Sequence, residues 1–534
     1  MIFKNKFSTC IVISLLLITS VMMGCIDNSD QESASSSIQT DATEMKQVDQ
    51  VLTVGAQKDF KVAYEGRSLV FETLMGVDKY GNPVPKLVES WDISEDGKIY
   101  TFHLRKGVVF HDGTPFDAKD AKFSLDMYMK TASFRNYVDK MEIVDDHTLL
   151  VTFNKYYDTF LLDIASDSSN VVSPLAVEPE WDPDGKIVEY IGTGPFKLVD
   201  YKKDQEAVLV RNDDYWGKKP ELEKVIWKTV PDPYTQIIAL KAGELDIIGV
   251  GEHHSSIPYI ELAKLEEDPN IGVMIQSFGR YQVIEFNCKK APFDDKRVRS
   301  AFNYGIDREL IVRTLFANAT EPAYVITAPW FKWGPGNIKE GYTYNPERAK
   351  QLLAEAGWED TDGDGILDKN GKPFVAELIV PVGEANADVV SVFLQSELKK
   401  LGVKMDILTL ESGAAGDKKS AGEYDMYVHH SGCLPSIPGG VSPGGKYYSK
   451  NTNWAWEYAY HSNELDELIE TAFSTPDDVR QREALDQAWL LLHDQAPCIP
   501  LYDIVKPVAF RNKVHGFTFP ATMFETNLQD IEIR

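Results

Sequence analysis

The sequence predicts an α/β protein with two lobes, and three observations favour this fold class. The chain has 534 residues, which exceeds what one hydrophobic core usually organises. Strand and helix patterns alternate between about residues 346 and 410, which is typical of an α/β domain with a mixed sheet. Extended segments near Gly279 and Pro500 connect the two halves of the chain. Two lobes joined by these crossings would form a clamp.

Residues 1–24 have the pattern of an export signal. Two lysines precede an apolar run from Ile11 to Met23, which is short for a membrane span and ends just before Cys25. This ending resembles a lipobox, in which the cysteine carries a lipid, so we expect lipidation at Cys25. An ordinary signal peptide is the alternative. Residues 25–46 are polar and are predicted to form a disordered tether.

Lobe I is predicted to span residues 47–280 and to carry an inserted subdomain at about 91–189. It begins with the strand pattern VLTVG at Val51, and an apolar segment from Arg67 to Met75 predicts a helix. Within the insert, two turn sequences between alternating apolar residues predict two hairpins, at Asp96-Gly97 and at Asp145-Asp146.

The stretch from Ile191 to Gly249 is the most strongly patterned part of the chain. Its GTGP start fits a tight turn, and FKLVDY and AVLVR predict a hairpin. A strand over Lys224–Val230 is followed by a helix over Tyr234–Ala242, which is expected to stop at Gly243. Leu245 to Val250 is then expected to be a buried strand.

Lobe II is predicted over residues 281–499, with 500–534 returning to lobe I. It opens with a strand over Tyr281–Cys288 and an amphipathic helix over Lys296–Phe316. The alternating strands and helices that follow indicate a second part of the mixed sheet.

The order GTGPF, VRNDDYWG, PDP and ALKAGELDI closely resembles the large solute-binding proteins of peptide and nickel ABC importers, solute-binding family 5. The resemblance returns in Leu87–Asp126 and in FDDKRVRSAFNYGIDRELI, from Phe293 to Ile311. It implies a type II periplasmic-binding-protein clamp of the large, cluster C type, with two lobes and a subdomain inserted in the first. Among these proteins the motifs are most similar to those of nickel-binding periplasmic proteins.

The resemblance implies a substrate-binding lipoprotein, held outside the cytoplasm by Cys25, that captures a nickel chelate by hinge closure and delivers it to an ABC permease. No required cofactor and no enzymatic activity are expected, and the chain is expected to be a monomer. The alternatives are an oligopeptide-binding protein and, from another class, an exported metal-dependent hydrolase. The net charge of −27 disfavours nucleic acid as a partner.

The segment from Tyr424 to Trp456 contains most of the candidate ligand-binding residues. A predicted strand runs to His429 and is followed by a long loop with soft or borderline metal ligands and aromatic residues. Neighbouring side chains on a strand point to opposite faces, so at most one histidine of the pair is expected to share a centre with Cys433. One histidine with one cysteine is only half of a closed zinc site, and the alternative is that these residues line a pocket without binding a metal directly. The candidates here are Tyr424, Met426, His429, His430, Cys433, Trp454 and Trp456.

On lobe I, Tyr64, Arg135 and Tyr137 match positions that approach the ligand in nickel-type relatives. An arginine could bind a carboxylate through two parallel hydrogen bonds, although a solvated position for Arg135 is equally compatible with the sequence. Peptide-binding relatives place an aspartate beyond the strand that ends near His429, and no aspartate occurs between Tyr427 and Leu465.

An aspartate-rich loop predicts a weak structural calcium site. Its oxygens fall at positions 1, 3, 5 and 9 of a calcium loop, with a backbone carbonyl at position 7, but the glutamate of position 12 is replaced by Gly371. A tight turn without an ion is the alternative. The candidate ligands are Asp360, Asp362, Asp364, Ile366 and Asp368.

Overall fold

The fold was determined as a computed structural model. The structure describes residues 49–534 except 62, 131, 167–168, 252–256, 339–340, 385, 433–441 and 451–456. The predicted signal peptide, the tether and Cys25 therefore lie outside the described residues.

The described residues form a mixed α/β structure, as the sequence predicts. The α-helices are α1 (Tyr64–Arg67), α2 (Ala118–Met129), α3 (Phe160–Asp163), α4 (Pro233–Ala242), α5 (Tyr259–Glu266), α6 (Lys296–Gly305), α7 (Arg308–Leu315), α8 (Pro346–Glu355), α9 (Ala387–Lys400), α10 (Ser412–Ser420), α11 (Pro443–Lys446), α12 (Asn463–Ser474) and α13 (Asp478–Gln495). Short 3₁₀ helices span Ser133–Asn136 and Pro174–Ala176.

The strands are β1 (Val51–Ala56), β2 (Met75–Val77), β3 (Pro83–Pro85), β4 (Val88–Ile93), β5 (Ile99–Leu104), β6 (Val138–Asp145), β7 (Thr148–Phe153), β8 (Val177–Glu178), β9 (Lys186–Ile187), β10 (Phe196–Lys202), β11 (Glu206–Arg211), β12 (Lys224–Thr229), β13 (Ile247–Ile248), β14 (Ile271–Phe286), β15 (Asp368–Lys369), β16 (Lys372–Pro373), β17 (Val375–Pro381), β18 (Lys404–Leu410), β19 (Met426–His430), β20 (Cys498–Arg511), β21 (Val514–His515) and β22 (Glu532–Ile533).

One mixed sheet runs through the molecule in the order β10-β11-β12-β1-β13-β20-β14-β19-β17-β18. The strands on one side of the β20–β14 pair come from the predicted lobe I, and those on the other side come from the predicted lobe II. The β14 and β20 strands are antiparallel, with 16 and 14 residues, and connect the two sides. These strands are the crossings expected near Gly279 and Pro500.

A separate four-stranded antiparallel sheet, β4-β5-β7-β6, lies within the predicted insert. Its hairpins turn at the two predicted turn sequences, and Gly97 has φ +69°, a conformation that glycine adopts easily. The insert also contacts the other half of the chain, because the Trp333 indole N–H donates to Asp158 Oδ2 at 3.0 Å. The lobe and insert boundaries themselves stay predictions.

The helix predicted over Arg67–Met75 is wrong, since α1 ends at Arg67 and Met75 begins β2. The reason is a competing backbone interaction: the Gly194 amide, in the GTGP turn, donates to the Val70 carbonyl, and the amide of Phe196, the first residue of β10, donates to the Leu69 carbonyl. Those carbonyls are therefore not used in helical hydrogen bonds.

The single helix predicted over Lys296–Phe316 is also wrong, because the structure has α6 and α7 there. The chain becomes extended at Ile306, and the Asp307 carboxylate accepts from the Leu310 amide at 2.9 Å, which starts the second helix. The buried strand predicted from Leu245 to Val250 is only the two residues of β13.

Candidate functional site

The two histidines at the end of β19 lie beside the strands that connect the two sides of the sheet. His429 pairs with Val283 and His430 with Gln282 of β14. Their ring centroids are 4.5 Å apart, so the expectation that they face opposite sides of the strand is wrong. Each ring instead turns along the chain, because its Nδ1 hydrogen-bonds the carbonyl of the following residue, at 2.8 Å for His429 and 3.1 Å for His430.

The protonation state of His429 follows from its partners. Its Nδ1 lies 2.8 Å from the His430 carbonyl oxygen, which can only accept, and 3.4 Å from Lys446 Nζ, which can only donate; the shorter contact assigns the proton to Nδ1. Burial lowers the pKa of His429 well below its usual value, and the charges of Lys419 and Lys446 lower this pKa further. In this neutral form Nε2 carries the lone pair, which is the form of imidazole that binds metals.

A cluster of buried charges supports the histidine pair. The Glu285 carboxylate accepts from Lys419 Nζ at 2.6 Å and from Lys446 Nζ at 2.9 Å, and the three residues are 9%, 3% and 7% exposed. Lys446 also donates to the His430 carbonyl at 2.8 Å. Burial alone would raise the pKa of Glu285, but the two lysines outweigh it and hold this pKa below its usual value.

Arg280 links the histidine pair to the C-terminal return segment. Its guanidinium Nη2 donates to His430 Nε2, and its Nη1 lies 3.8 Å from the Met523 sulfur. His430 can accept this bond because its Nδ1 faces the Ser431 carbonyl at 3.1 Å and so carries the proton. The arginine side chain is only 3% exposed and follows Gly279, which has φ +70°.

On lobe I, the predicted residues occupy two different environments. Tyr64 packs edge-on against Phe524 at 5.6 Å, with the Arg67 guanidinium 4.7 Å above its ring. Arg135 is exposed and donates to the Lys130 carbonyl, and Tyr137 packs against Tyr157 with ring centroids 4.9 Å apart.

Two predicted residues belong to hydrophobic cores. Tyr424 and Met426 are 2% and 1% exposed. Tyr424 packs edge-on against Tyr427 and Tyr458, and Met426 lies in the cluster with Leu378. Cys433, Trp454 and Trp456 lie outside the described residues.

The aspartate-rich loop brings part of the predicted calcium set together. Carboxylate oxygens of Asp360, Asp362 and Asp368 lie within 4.8 Å of one another, whereas Asp364 is not in this group. Asp360 already accepts from the amides of Gly363 and Gly365, at 2.7 and 3.1 Å. Calcium binding by this loop stays a prediction.

Cys288 and Cys498 are free thiols. Burial raises the pKa of Cys288 to about 11 and that of Cys498 to about 12. Both thiols are therefore protonated and unreactive near neutral pH.

Sequence reasoning missed four charged residues of this site: Arg280, Glu285, Lys419 and Lys446. They come from β14, α10 and α11, and no spacing rule connects them. Arg280 alone had a local signal, since it follows the glycine at the predicted crossing.

The family profile of bacterial extracellular solute-binding proteins, family 5 Middle, matches residues 82–453. The chain belongs to this family. It is therefore a substrate-binding protein of an ABC importer of the peptide, nickel or heme type, with a permease as its partner, and it is not an enzyme. The hydrolase alternative is accordingly wrong.

Two curated relatives and one solved structure illustrate the similarity. Heme-binding protein A of Haemophilus influenzae is 30% identical over 465 residues, which cover 81% of each chain. The nickel-binding periplasmic protein of Escherichia coli is 27% identical over 474 residues, covering 87% of this chain and 90% of the relative. NikA from Brucella suis in complex with Fe(III)-EDTA superposes with a TM-score of 0.81 at 24% identity, covering 91% of this chain and 100% of that chain.

The structural similarity confirms the type II periplasmic-binding-protein clamp predicted from the sequence. Within the part of the chain that the structure describes, no helix is both long and apolar enough to span a membrane.

Proposed function

We propose that this substrate-binding protein captures a nickel chelate whose small organic chelator carries carboxylates, and delivers it to the permease. The observation that carries the proposal is the neutral His429, with its proton on Nδ1 and its lone pair on Nε2. Imidazole nitrogen is a suitable ligand for Ni²⁺. A similar protein is named for nickel binding, which supports this cargo.

The surrounding groups suit a metal that arrives already chelated. Glu285 is held by two lysines, and His430 Nε2 accepts from Arg280, so in this conformation these groups are engaged with protein cations. One protein nitrogen is far short of the coordination that Ni²⁺ needs, so the chelator must supply the rest. Arg280 offers a planar donor group that fits a carboxylate of such a chelator.

Capture is proposed to follow from closure of the lobes. A ligand that contacts groups from both sides of the β14–β20 crossing makes all its contacts only in the closed form, and it therefore shifts the equilibrium towards closure. The proposal includes anchoring outside the cytoplasm through lipidated Cys25, and action as a monomer.

Titration calorimetry tests the cargo. We expect heat from Ni²⁺ with L-histidine and none from a pool of short peptides. His429→Ala should weaken the chelate affinity about 100-fold or more, because loss even of an outer-shell partner commonly costs 10–100-fold. His103→Ala, on the inserted sheet, is the matched control and should bind as the wild type does.

Two results would overturn the nickel proposal. Heat from peptides alone would favour the oligopeptide alternative. Wild-type affinity for the nickel chelate in His429→Ala would remove the residue on which the proposal rests.

A further inference from the structure

The pairing of β14 with β20 is interrupted where the chain passes between the two sides of the sheet. Ser277 pairs with Val505 and Tyr281 with Asp503, so three residues of β14 lie opposite one residue of β20. Gly279 lies in this interruption with φ +70°, which favours glycine. Bulges of this kind bend a strand locally. The interruption is therefore the natural place for the lobes to bend relative to each other.

The Asp503 side chain fills this interruption. Its Oδ2 accepts from the Ser277 hydroxyl, whose oxygen in turn accepts from the Gly279 amide at 3.1 Å. The residue is 7% exposed, and its Oδ1 is buried without a hydrogen-bond partner among the described residues. A buried carboxylate oxygen in this state is costly when the group is ionised.

The groups around Asp503 do not compensate the negative charge of its ionised carboxylate. From β14 the carboxyl faces Ser277 and Tyr281, and from the segment before Pro322 it faces Glu321. Asp503 also has backbone partners there, since its amide donates to the Glu321 carbonyl and its carbonyl accepts from the Thr320 hydroxyl. Burial raises the pKa of Asp503 to about 6, the Ser277 hydrogen bond opposes this rise, and the negative charge of Glu321 adds to it.

We propose that Asp503 is a protonation switch at the hinge: the protonated acid stabilises the lobe arrangement seen here, and the ionised carboxylate favours an arrangement in which the interruption opens to water. Protonation removes the buried charge, and the acid proton can then be shared with the Ser277 oxygen. Ionisation makes hydration of Oδ1 favourable, and hydration requires β14 and β20 to move apart around Gly279.

The direction of the effect follows from proton linkage. The present arrangement binds the proton more tightly than a hydrated aspartate, which ionises near pH 3.9. Protonation of Asp503 therefore stabilises the present arrangement fully below about pH 4. This stabilisation is lost as the pH rises through about 6, the pKa of the buried Asp503 carboxyl. Between pH 5 and pH 7.5 the ratio of the present arrangement to the open one should fall about tenfold.

Distance measurements between the lobes test this switch in the ligand-free protein. Spin labels carried by p-acetylphenylalanine at Lys203 and Lys399, both exposed, leave the native cysteines unlabelled. Double electron–electron resonance from pH 5 to pH 7.5 should show the population at the distance of this structure falling about tenfold relative to the open population, and this fall should level off above the titration midpoint of Asp503 near pH 6. Asp503→Asn, which resembles the protonated acid, should keep this population at every pH.

A second pair of variants keeps the test decisive if Asp503→Asn does not fold. Glu321→Gln removes the exposed negative charge that faces Asp503, so the midpoint should move to lower pH. Glu309→Gln, exposed on α7, should leave the midpoint unchanged. A distance distribution of the wild-type protein that is constant from pH 5 to pH 7.5 would overturn the switch. A midpoint in Glu321→Gln equal to that of the wild type would also overturn it. Because no ligand is present, failure of the nickel proposal would not affect this result.

Discussion

Glu72→Ala is expected to lower the free energy of unfolding by about 3 kcal/mol. The Glu72 carboxylate accepts three side-chain hydrogen bonds: from Thr193 Oγ1 at 2.8 Å, Tyr215 OH at 3.0 Å and Trp216 Nε1 at 2.8 Å. It is 3% exposed, so alanine would leave three donors in a buried site without their acceptor. This carboxylate joins the GTGP turn to the DDYWG segment, and its loss should loosen the most strongly patterned part of the chain.

Denaturation in guanidinium chloride measures the effect, with two comparisons. Glu189→Ala removes an exposed carboxylate and should change the free energy of unfolding by less than about 0.5 kcal/mol. Tyr215→Phe removes one donor and leaves the acceptor with two others, so it should cost about 1 kcal/mol. Equal stability of Glu72→Ala and Glu189→Ala would contradict the role assigned to this carboxylate.

Glu285→Ala is the second large effect, with an expected loss of about 3 to 5 kcal/mol in the free energy of unfolding. The substitution removes the carboxylate shared by Lys419 and Lys446, which are almost fully buried. Because the pKa of Glu285 is held below its usual value in the folded protein, its contribution is present above the pKa of an unfolded glutamate, about 4.3. The difference between wild type and variant should therefore shrink as the pH falls through the lowered pKa.

The matched control is a carboxylate that faces a lysine at the surface. Glu423 lies 3.5 Å from Lys418, and exposed pairs of this kind contribute less than about 1 kcal/mol. Glu423→Ala should therefore have almost no effect in the same denaturation experiment. The buried cluster would have no stabilising role if Glu285→Ala matched this control at pH 7.

Local turn and capping chemistry made much of the fold predictable. Gly97 and Gly243 have positive φ values of 69° and 81°, at the hairpin turn and the helix end where the sequence places them. Asp232 caps α4 by accepting from the Thr235 amide at 2.7 Å. Such features depend on residues within a few positions of each other, and so a single sequence contains them.

The errors arose where distant segments compete for the same backbone groups or determine the end of an element. The segment after Arg67 is apolar enough for a helix, but the turn at Gly194, more than a hundred residues later, bonds its carbonyls. The charged cluster around Glu285 was not predicted for a similar reason, because its lysines lie 134 and 161 positions away. Only the paired strands bring these groups together.

The protein is proposed to capture a small ligand by closing its two lobes around it. Small-angle X-ray scattering of the chain without its predicted signal peptide, in the absence of ligand and with the nickel–histidine chelate, tests it most directly. We expect the radius of gyration to decrease when the chelate binds and to return to its starting value when the chelate is removed. Identical scattering curves at a chelate concentration that calorimetry shows to be saturating would contradict closure.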